Sequence, residues 1–295
     1  MTPTLEIAGE NTLGAAASRA LLYFVLILLA ALFAVPALVM IMTSLRPTSE
    51  IASGALLSFP REVTVDAWVK AWTTACIGTR CEGLQASFLN SVMATVPVVL
   101  LTTALGAING FALTKMKFRG ADAIFTMIWL GCFIPYQAVL IPIAQTLGAM
   151  RLSGSTYGLW VVYTAYSIPF TTLFFRNYYT TIPDELVRSA KIDGAGFFRT
   201  FWHIILPISP PMIVVSLIFQ FTSIWNEFLF AASFTSGGAQ TITVSLNNLV
   251  NTTFGAKEYN VDMAGALITS LPTLLVYILA GRYFMRGLTA GSVKG

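Results

Sequence analysis

Charged residues fall at wide intervals along this chain, and the gaps between them read as long apolar segments. The hydrocarbon core of a bilayer is about 30 Å thick, so a helix rising about 1.5 Å per residue crosses it in roughly 20 mostly apolar residues. Six gaps meet that length. Arg19 to Arg46 holds LLYFVLILLAALFAVPALVMIM, Glu82 to Lys115 holds VMATVPVVLLTTALGAINGFAL, and Asp122 to Arg151 holds IFTMIWLGCFIPYQAVLIPIA. Arg151 to Arg176 holds YGLWVVYTAYSIPFTTLFF, His203 to Glu227 holds IILPISPPMIVVSLIFQFTSIW, and Asp262 to Arg282 holds MAGALITSLPTLLVYILAG. They predict spans at about 20–44, 86–114, 122–147, 156–176, 206–230 and 262–284. A seventh uncharged gap, Phe228 to Ala256, is rich in hydroxyls, amides and glycine beyond Phe234. Lipid cannot satisfy so many polar groups, so this stretch is expected to be a loop folding back at the membrane surface.

Composition turns the pattern into a class. Of 295 residues 56% are hydrophobic and only 10% charged, with a mean hydropathy of +0.75, where a soluble chain carries about 25% charge. The expected architecture is an all-α membrane protein of six transmembrane helices. Three cysteines and one histidine leave little for a metal site and exclude a disulfide-packed secreted module. The bilayer is the implied surrounding, and nothing points to nucleic acid.

With an even number of spans both termini share a side. Placing them inside puts there Arg19, Lys115, Lys117, Arg119, Arg176, Arg188, Lys191, Arg199, Arg282, Arg286 and Lys294, eleven of the 17 Lys and Arg. Positive charge accumulates on the cytoplasmic side, so both termini are expected there, with residues 1–18 as a cytoplasmic N-terminal segment. The apolar run Leu21 to Met42 exceeds the roughly 7–15 residues of a signal core, and no small-residue cleavage site precedes Thr43, so it reads as an uncleaved span. Prolines recur within the spans, among them Pro36, Pro97, Pro135, Pro142, Pro169 and Pro272. They are compatible with helices bent around a path and equally with the general abundance of proline in membrane helices.

In the outer segment Leu45 to Gln85, Cys76 and Cys81 bracket four residues including Gly78. A tight turn can close that spacing with a disulfide in an oxidising compartment; a pair of free thiols is the alternative. Cys132 lies mid-span and reads as a packing residue. The inner loop 177–207 carries the most structure. Thr180 or Thr181 is placed to cap a helix with Pro183 in its first turn and Asp184 and Glu185 at its positive dipole end. Leu186, Ala190 and Asp193 are expected on one side of it. Gly194 and Gly196 permit a sharp exit, and a second amphipathic helix follows through Phe197, Phe198, Phe201, Ile204 and Ile205 until Pro207. Small residues on show suit docking of another protein, and the second helix suits a lipid surface as well.

Pro183-Asp-Glu-Leu-Val-Arg-Ser-Ala-Lys-Ile-Asp-Gly-Ala195, followed by Ile205-Leu-Pro207, resembles the EAA loop of membrane subunits in binding-protein-dependent ABC importers. The tail Gly287 to Gly295 is similar to the C-terminus of MalG-like subunits of carbohydrate importers. The stretches Trp225 to Phe230 and Leu246 to Met263 look closest to the glucose/mannose branch. The resemblance runs from the first span to the last residue. It implies the type I importer permease fold over 19–295, in the bacterial inner membrane, with a second homologous permease subunit, a cytosolic ATPase dimer and a periplasmic sugar-binding protein as partners. ATP and Mg would be bound by the ATPase, leaving this chain without a cofactor. It further implies coupling to the ATPase through Glu185, Arg188, Ser189, Ala190, Asp193, Gly194 and Ala195. The tail residues Gly291, Ser292, Val293, Lys294 and Gly295 would reach between the ATPases. Asn251, Thr252, Thr253, Phe254, Gly255, Ala256 and Lys257 would meet the binding protein. One departure stands out: Arg188 occupies the position of the motif's acid, and is expected either to meet a co-adapted partner or to pair with Glu185.

No Gly-x-x-x-x-Gly-Lys-[Ser/Thr] loop occurs, so an ATP motor is expected on another subunit. His203, the only histidine, lies at the lipid boundary, and no carboxylate lies mid-span; Glu227 comes nearest. That scarcity weakens an ion-coupled carrier, the rival reading, and a membrane enzyme further still. Polar or aromatic candidates for a sugar path are Asn109, Gln137, Tyr163, Tyr166, Gln220 and Asn226. The alternative role for each is a hydrogen bond between helices. The expected cargo is glucose or a similar monosaccharide, with an oligosaccharide such as maltose or trehalose as the alternative.

Overall fold

The computed structural model describes residues 12–53, 59–78, 80–116, 118–251 and 257–290, without the side chains of 12–15, 52–53 and 281–290. In chain order the helices are α1 (Thr12–Ser44), α2 (Thr48–Ser53), α3 (Asp66–Thr73), α4 (Gln85–Lys115), α5 (Ala121–Leu130), α6 (Tyr136–Ala149) and α7 (Thr156–Thr180). Then come α8 (Asp184–Ile192), α9 (Phe197–Thr200), α10 (Pro210–Trp225), α11 (Leu229–Phe234), α12 (Ile242–Val250) and α13 (Tyr259–Ala290). No strand forms among the described residues, which hold only two isolated bridges.

Four helices, α1, α4, α7 and α13, are long and apolar enough to cross a bilayer, and two bent pairs raise the number to six. The expected span 122–147 is broken: α5 and α6 meet at 104°. Helix α5 tightens into a 3-10 turn at Gly131–Phe133, and Ile134 is extended (φ −70°, ψ 118°), as the residue before a proline prefers. Pro135, also extended, then opens α6. The expected span 206–230 begins late and ends early. Residues 197–208 form α9, a π-helical turn at Phe201–Ile205 and a 3-10 turn at Leu206–Ile208, and lie at 80° to α10. Pro207 therefore does not end the helix, and the chain turns at Ser209. Pro210 and Pro211, lacking N–H groups, open α10 where none is needed.

The bundle is built on α4 against α7. Gly106 and Gly110, four residues apart on one face of α4, let the backbones approach. A Cβ at Gly106 would lie 2.4 Å from Thr171 Cβ, and one at Gly110 2.6 Å from Phe175 Cβ. Thr103 and Ser216 hydroxyls meet at 3.0 Å, tying α4 to α10.

The polar stretch after Phe228 is not a plain loop: it contains α11 and α12. Its polar groups meet polar residues of α4. Asn90 Nδ2 donates to the carbonyls of Gly238 and Gln240 (2.6 and 3.1 Å), the Ser91 hydroxyl accepts from Ile242 N (2.8 Å), and the Ser87 and Ser245 hydroxyls lie 2.6 Å apart. The apolar surface of α1, Phe33 at 78% for example, stays exposed, and among its described side chains only Thr43 and Ser44 at its end are buried.

Candidate coupling face and translocation cavity

At one end of the bundle α8 stands clear of the spans. Thr180 and Thr181 do not cap it. They belong to the end of α7, where their hydroxyls donate back to the carbonyls of Asn177 (2.6 Å) and Tyr178 (2.7 Å). Extended Pro183 precedes the helix, Asp184 and Glu185 fill its first turn, and Lys191 its last, each sign favouring the dipole. The exit is a Schellman turn: Ala195 N donates to Ala190 O (2.9 Å) and Gly194 N to Lys191 O (3.1 Å), with Gly194 at φ +75°.

The inward face of α8 consists of Val187 and Ala190, each 4% exposed, with Val187 against Tyr179, Ile182, Phe201 and Ile205. Leu186 and Asp193, expected on one side with Ala190, are exposed where Ala190 is buried, and Ile192 is exposed as well. Of the expected coupling residues, Glu185, Arg188, Ser189, Asp193 and Gly194 face outward, Ala195 is half-buried, and Ala190 is buried beneath them. Arg188 makes no ion pair with Glu185 among the described residues. The Ser189 hydroxyl donates to Leu186 O (3.1 Å). The tail Gly291 to Gly295 lies outside the described residues.

A feature that motif reading missed anchors this helix. Lys115, the last residue of α4, is buried, with its Nζ 2.7 Å from Asp184 Oδ1 and also donating to Ile182 O. The ammonium thus bridges the end of a spanning helix and the start of α8. Its only hint in the sequence was a lysine closing an apolar run.

Midway through the bundle, beside the α5–α6 bend, a cavity of about 90 Å³ lies among residues of α6, α7, α10 and α11. Tyr163, Tyr166 and Gln220 line it; Asn109, Gln137 and Asn226 do not. Asn109 donates to Thr172 Oγ1 at 3.3 Å, the interhelical bond weighed as its alternative. Asn226 donates to Thr222 O within its own helix (3.0 Å), and Gln137 is exposed. Gln220 Nε2 donates to Ser167 O (3.1 Å). Tyr136, Ser223, Glu227 and Phe230 complete much of the wall. The Glu227 carboxylate accepts from Tyr163 Oη (2.9 Å), Phe230 N (2.8 Å) and Ala231 N (3.1 Å), holding α11 to the end of α10. Glu227 was noted in the sequence as the carboxylate nearest mid-span, and Ser223 and Glu227 follow Gln220 at helical spacing; Tyr136 escaped the sequence because the bend, not spacing, brings it to this wall.

Residues 102–286, more than half of the chain and including both α8 and the cavity, match the family described as binding-protein-dependent transport system inner membrane component. The chain belongs to that family. This permease is 46% identical over 188 residues to a probable ABC transporter permease of Pyrococcus horikoshii, covering 63% of this chain and 68% of the other. It is 31% identical to the xylose/arabinose import permease XacI of Haloferax volcanii over 90% of each. Its fold matches a chain of a bacterial ABC transporter involved in alginate import at a TM-score of 0.77, with 17% identity, over 96% of this chain and all of that one.

At the opposite end of the permease Cys76 and Cys81 form a disulfide, with Ile77 and Arg80 paired across the turn. Cys132 is half-buried beside the α5–α6 bend. Lys257 pairs with Asp262 (3.0 Å) and donates to Val250 O, and Lys70 pairs with Glu258. Asn251 is exposed and bonds back to Asn247. Thr252, Thr253, Phe254, Gly255 and Ala256 lie outside the described residues. The His203 ring is within 3.0 Å of Arg199 O, inside its own helical segment.

Proposed function

We propose that this permease is one of two membrane subunits that form the pathway of an ATP-driven, binding-protein-dependent sugar importer. Its α8 docks on a cytosolic ATPase, which binds ATP and Mg²⁺ and performs the hydrolysis. Both termini lie in the cytoplasm, the tail Gly291 to Gly295 reaches the ATPases, and the segment Asn251 to Lys257 meets the periplasmic binding protein. The observation that carries the reading is α8 itself. Two small buried side chains and the Lys115 bridge hold it on the bundle, while its remaining face stands free. A surface helix whose outer face meets nothing among the described residues gains nothing from so firm an anchor unless something pushes on it.

For the cargo, the import of xylose and arabinose named for XacI supports a monosaccharide. The likeness of Trp225 to Phe230 and Leu246 to Met263 to the glucose/mannose branch supports glucose. Co-expression with the ATPase, sister subunit and binding protein, followed by a sugar screen for stimulated ATP hydrolysis, tests both levels. Glucose is expected to stimulate more than maltose or trehalose. Stimulation by an oligosaccharide alone would move the cargo to that class, and failure to co-purify with any ATPase would contradict the assignment.

A further inference from the structure

We propose that the cavity beside the α5–α6 bend is this subunit's own contact with cargo, and that it takes the edge of a neutral sugar ring while rejecting sugar acids. The proposal rests on the permease reading above and adds to it a binding site and a charge selectivity.

Three of the aromatic rings that line the cavity come from three different helices and lie against one another. The centroids of Tyr136 and Tyr166 are 4.7 Å apart, those of Tyr166 and Phe230 4.9 Å, and those of Tyr136 and Phe230 5.2 Å at 90°. The electron-rich faces of such rings suit the C–H faces of a pyranose or furanose. The Tyr166 hydroxyl is buried and has no hydrogen-bond partner among the described residues. Buried polar groups in native proteins are almost always partnered, so this one calls for a ligand atom or a water. Glu227 also lines the cavity. Two of its three donors fall on Oε2 and one on Oε1. A carboxylate has about four acceptor sites, so Oε1 keeps capacity for a further donor such as a sugar hydroxyl.

Charge decides the ligand class. Among the described residues no Lys, Arg or His lines the cavity, and one carboxylate does. An anionic sugar would meet a like charge there, which is unfavourable. A neutral sugar offers hydroxyl donors to Glu227 and acceptors to Tyr166. Size sets how much of it enters. At about 90 Å³ the cavity is smaller than the few hundred Å³ of a complete small-molecule site. It therefore holds part of a ring, and the second membrane subunit supplies the rest.

The test uses the full complex, with ATPase, sister subunit and binding protein, in proteoliposomes. Tyr166→Phe is expected to slow ATP-driven uptake of neutral sugar about fivefold, the loss of one hydrogen bond, and Tyr166→Ala to slow it further by removing the ring. Because altered helix packing can also slow uptake, a second measurement reads occupancy. Ser223→Cys, in a Cys132→Ser background, is labelled with a membrane-permeant maleimide. Saturating glucose is expected to slow labelling, and glucuronate to leave it unchanged. Uptake at the wild-type rate in both Tyr166 variants, with labelling indifferent to glucose, would overturn the site. Equal protection by glucuronate would overturn the charge selectivity. A wild-type complex that takes up no sugar under ATP would instead defeat the permease reading, and this proposal with it.

Discussion

Lys115 at the end of α4 and Arg188 on α8 show how differently two basic residues at one end of the bundle can act. Lys115 is buried against Ile182 O and Asp184, so Lys115→Met strips a cation from two acceptors at once. Breaking a fully buried pair costs about 3–5 kcal/mol. Here the Asp184 side chain is 40% exposed and water takes over part of the loss, so the expected cost is about 1–3 kcal/mol. It should register as a lower Tm of the purified complex, with ATP hydrolysis less dependent on sugar; an unchanged Tm would show that the bridge holds nothing. Arg188 is exposed and forms no ion pair with Glu185 among the described residues. The contact of α8 with the ATPase is then expected to rest on shape and backbone, and Arg188→Ala should keep sugar-dependent ATP hydrolysis. Complete loss in that variant would show instead that the arginine meets a partner's charge. Tyr163, Tyr166 and Gln220 were legible as candidates because polar and aromatic groups are conspicuous in an apolar run. Tyr136 and Phe230 were not, since each reads as ordinary packing until a bend sets them beside Tyr166.

At the scale of the element, gaps between charges located the long apolar helices and the two bent pairs but said nothing about straightness. An uncharged run satisfies lipid equally well bent or straight, so the 104° break at Ile134–Pro135 and the 80° turn at Ser209 carried no signature in charge. The prolines alone were ambiguous: Pro36, Pro97, Pro169 and Pro272 lie inside continuous helices. Helices α11 and α12 were missed for a related reason. The polar groups of α12 and of the turn before it are unacceptable to lipid, but Ser87 and Ser91 of α4 meet Ser245 and Ile242 N, and Asn90 meets the Gly238 carbonyl, from within the protein. The α4–α7 contact is the element on which the bundle depends. Gly106→Leu places a side chain where even a Cβ would overlap Thr171, so the helices must separate. Little folded permease should reach the membrane, whereas Leu100→Val, on the exposed side of α4, should assemble normally. Equal yields of the two variants in a detergent-extracted membrane fraction would contradict this packing.

Taken whole, the molecule is an incomplete assembly. Helix α1 presents bare apolar surface along most of its length, the mid-bundle cavity is too small for a complete cargo site, and α8 offers a free face at one end. On the proposed function each of these would meet a partner: lipid for α1, the sister subunit for the cavity, the ATPase for α8. The central claim is that this chain supplies a passage and no motor, and that the drive enters through α8. Its most direct test is solute accumulation in proteoliposomes preloaded with ATP, prepared with and without the ATPase subunits. Accumulation against a gradient is expected only when the ATPase is present. Accumulation by the membrane subunits alone, driven by an ion gradient, would contradict the account.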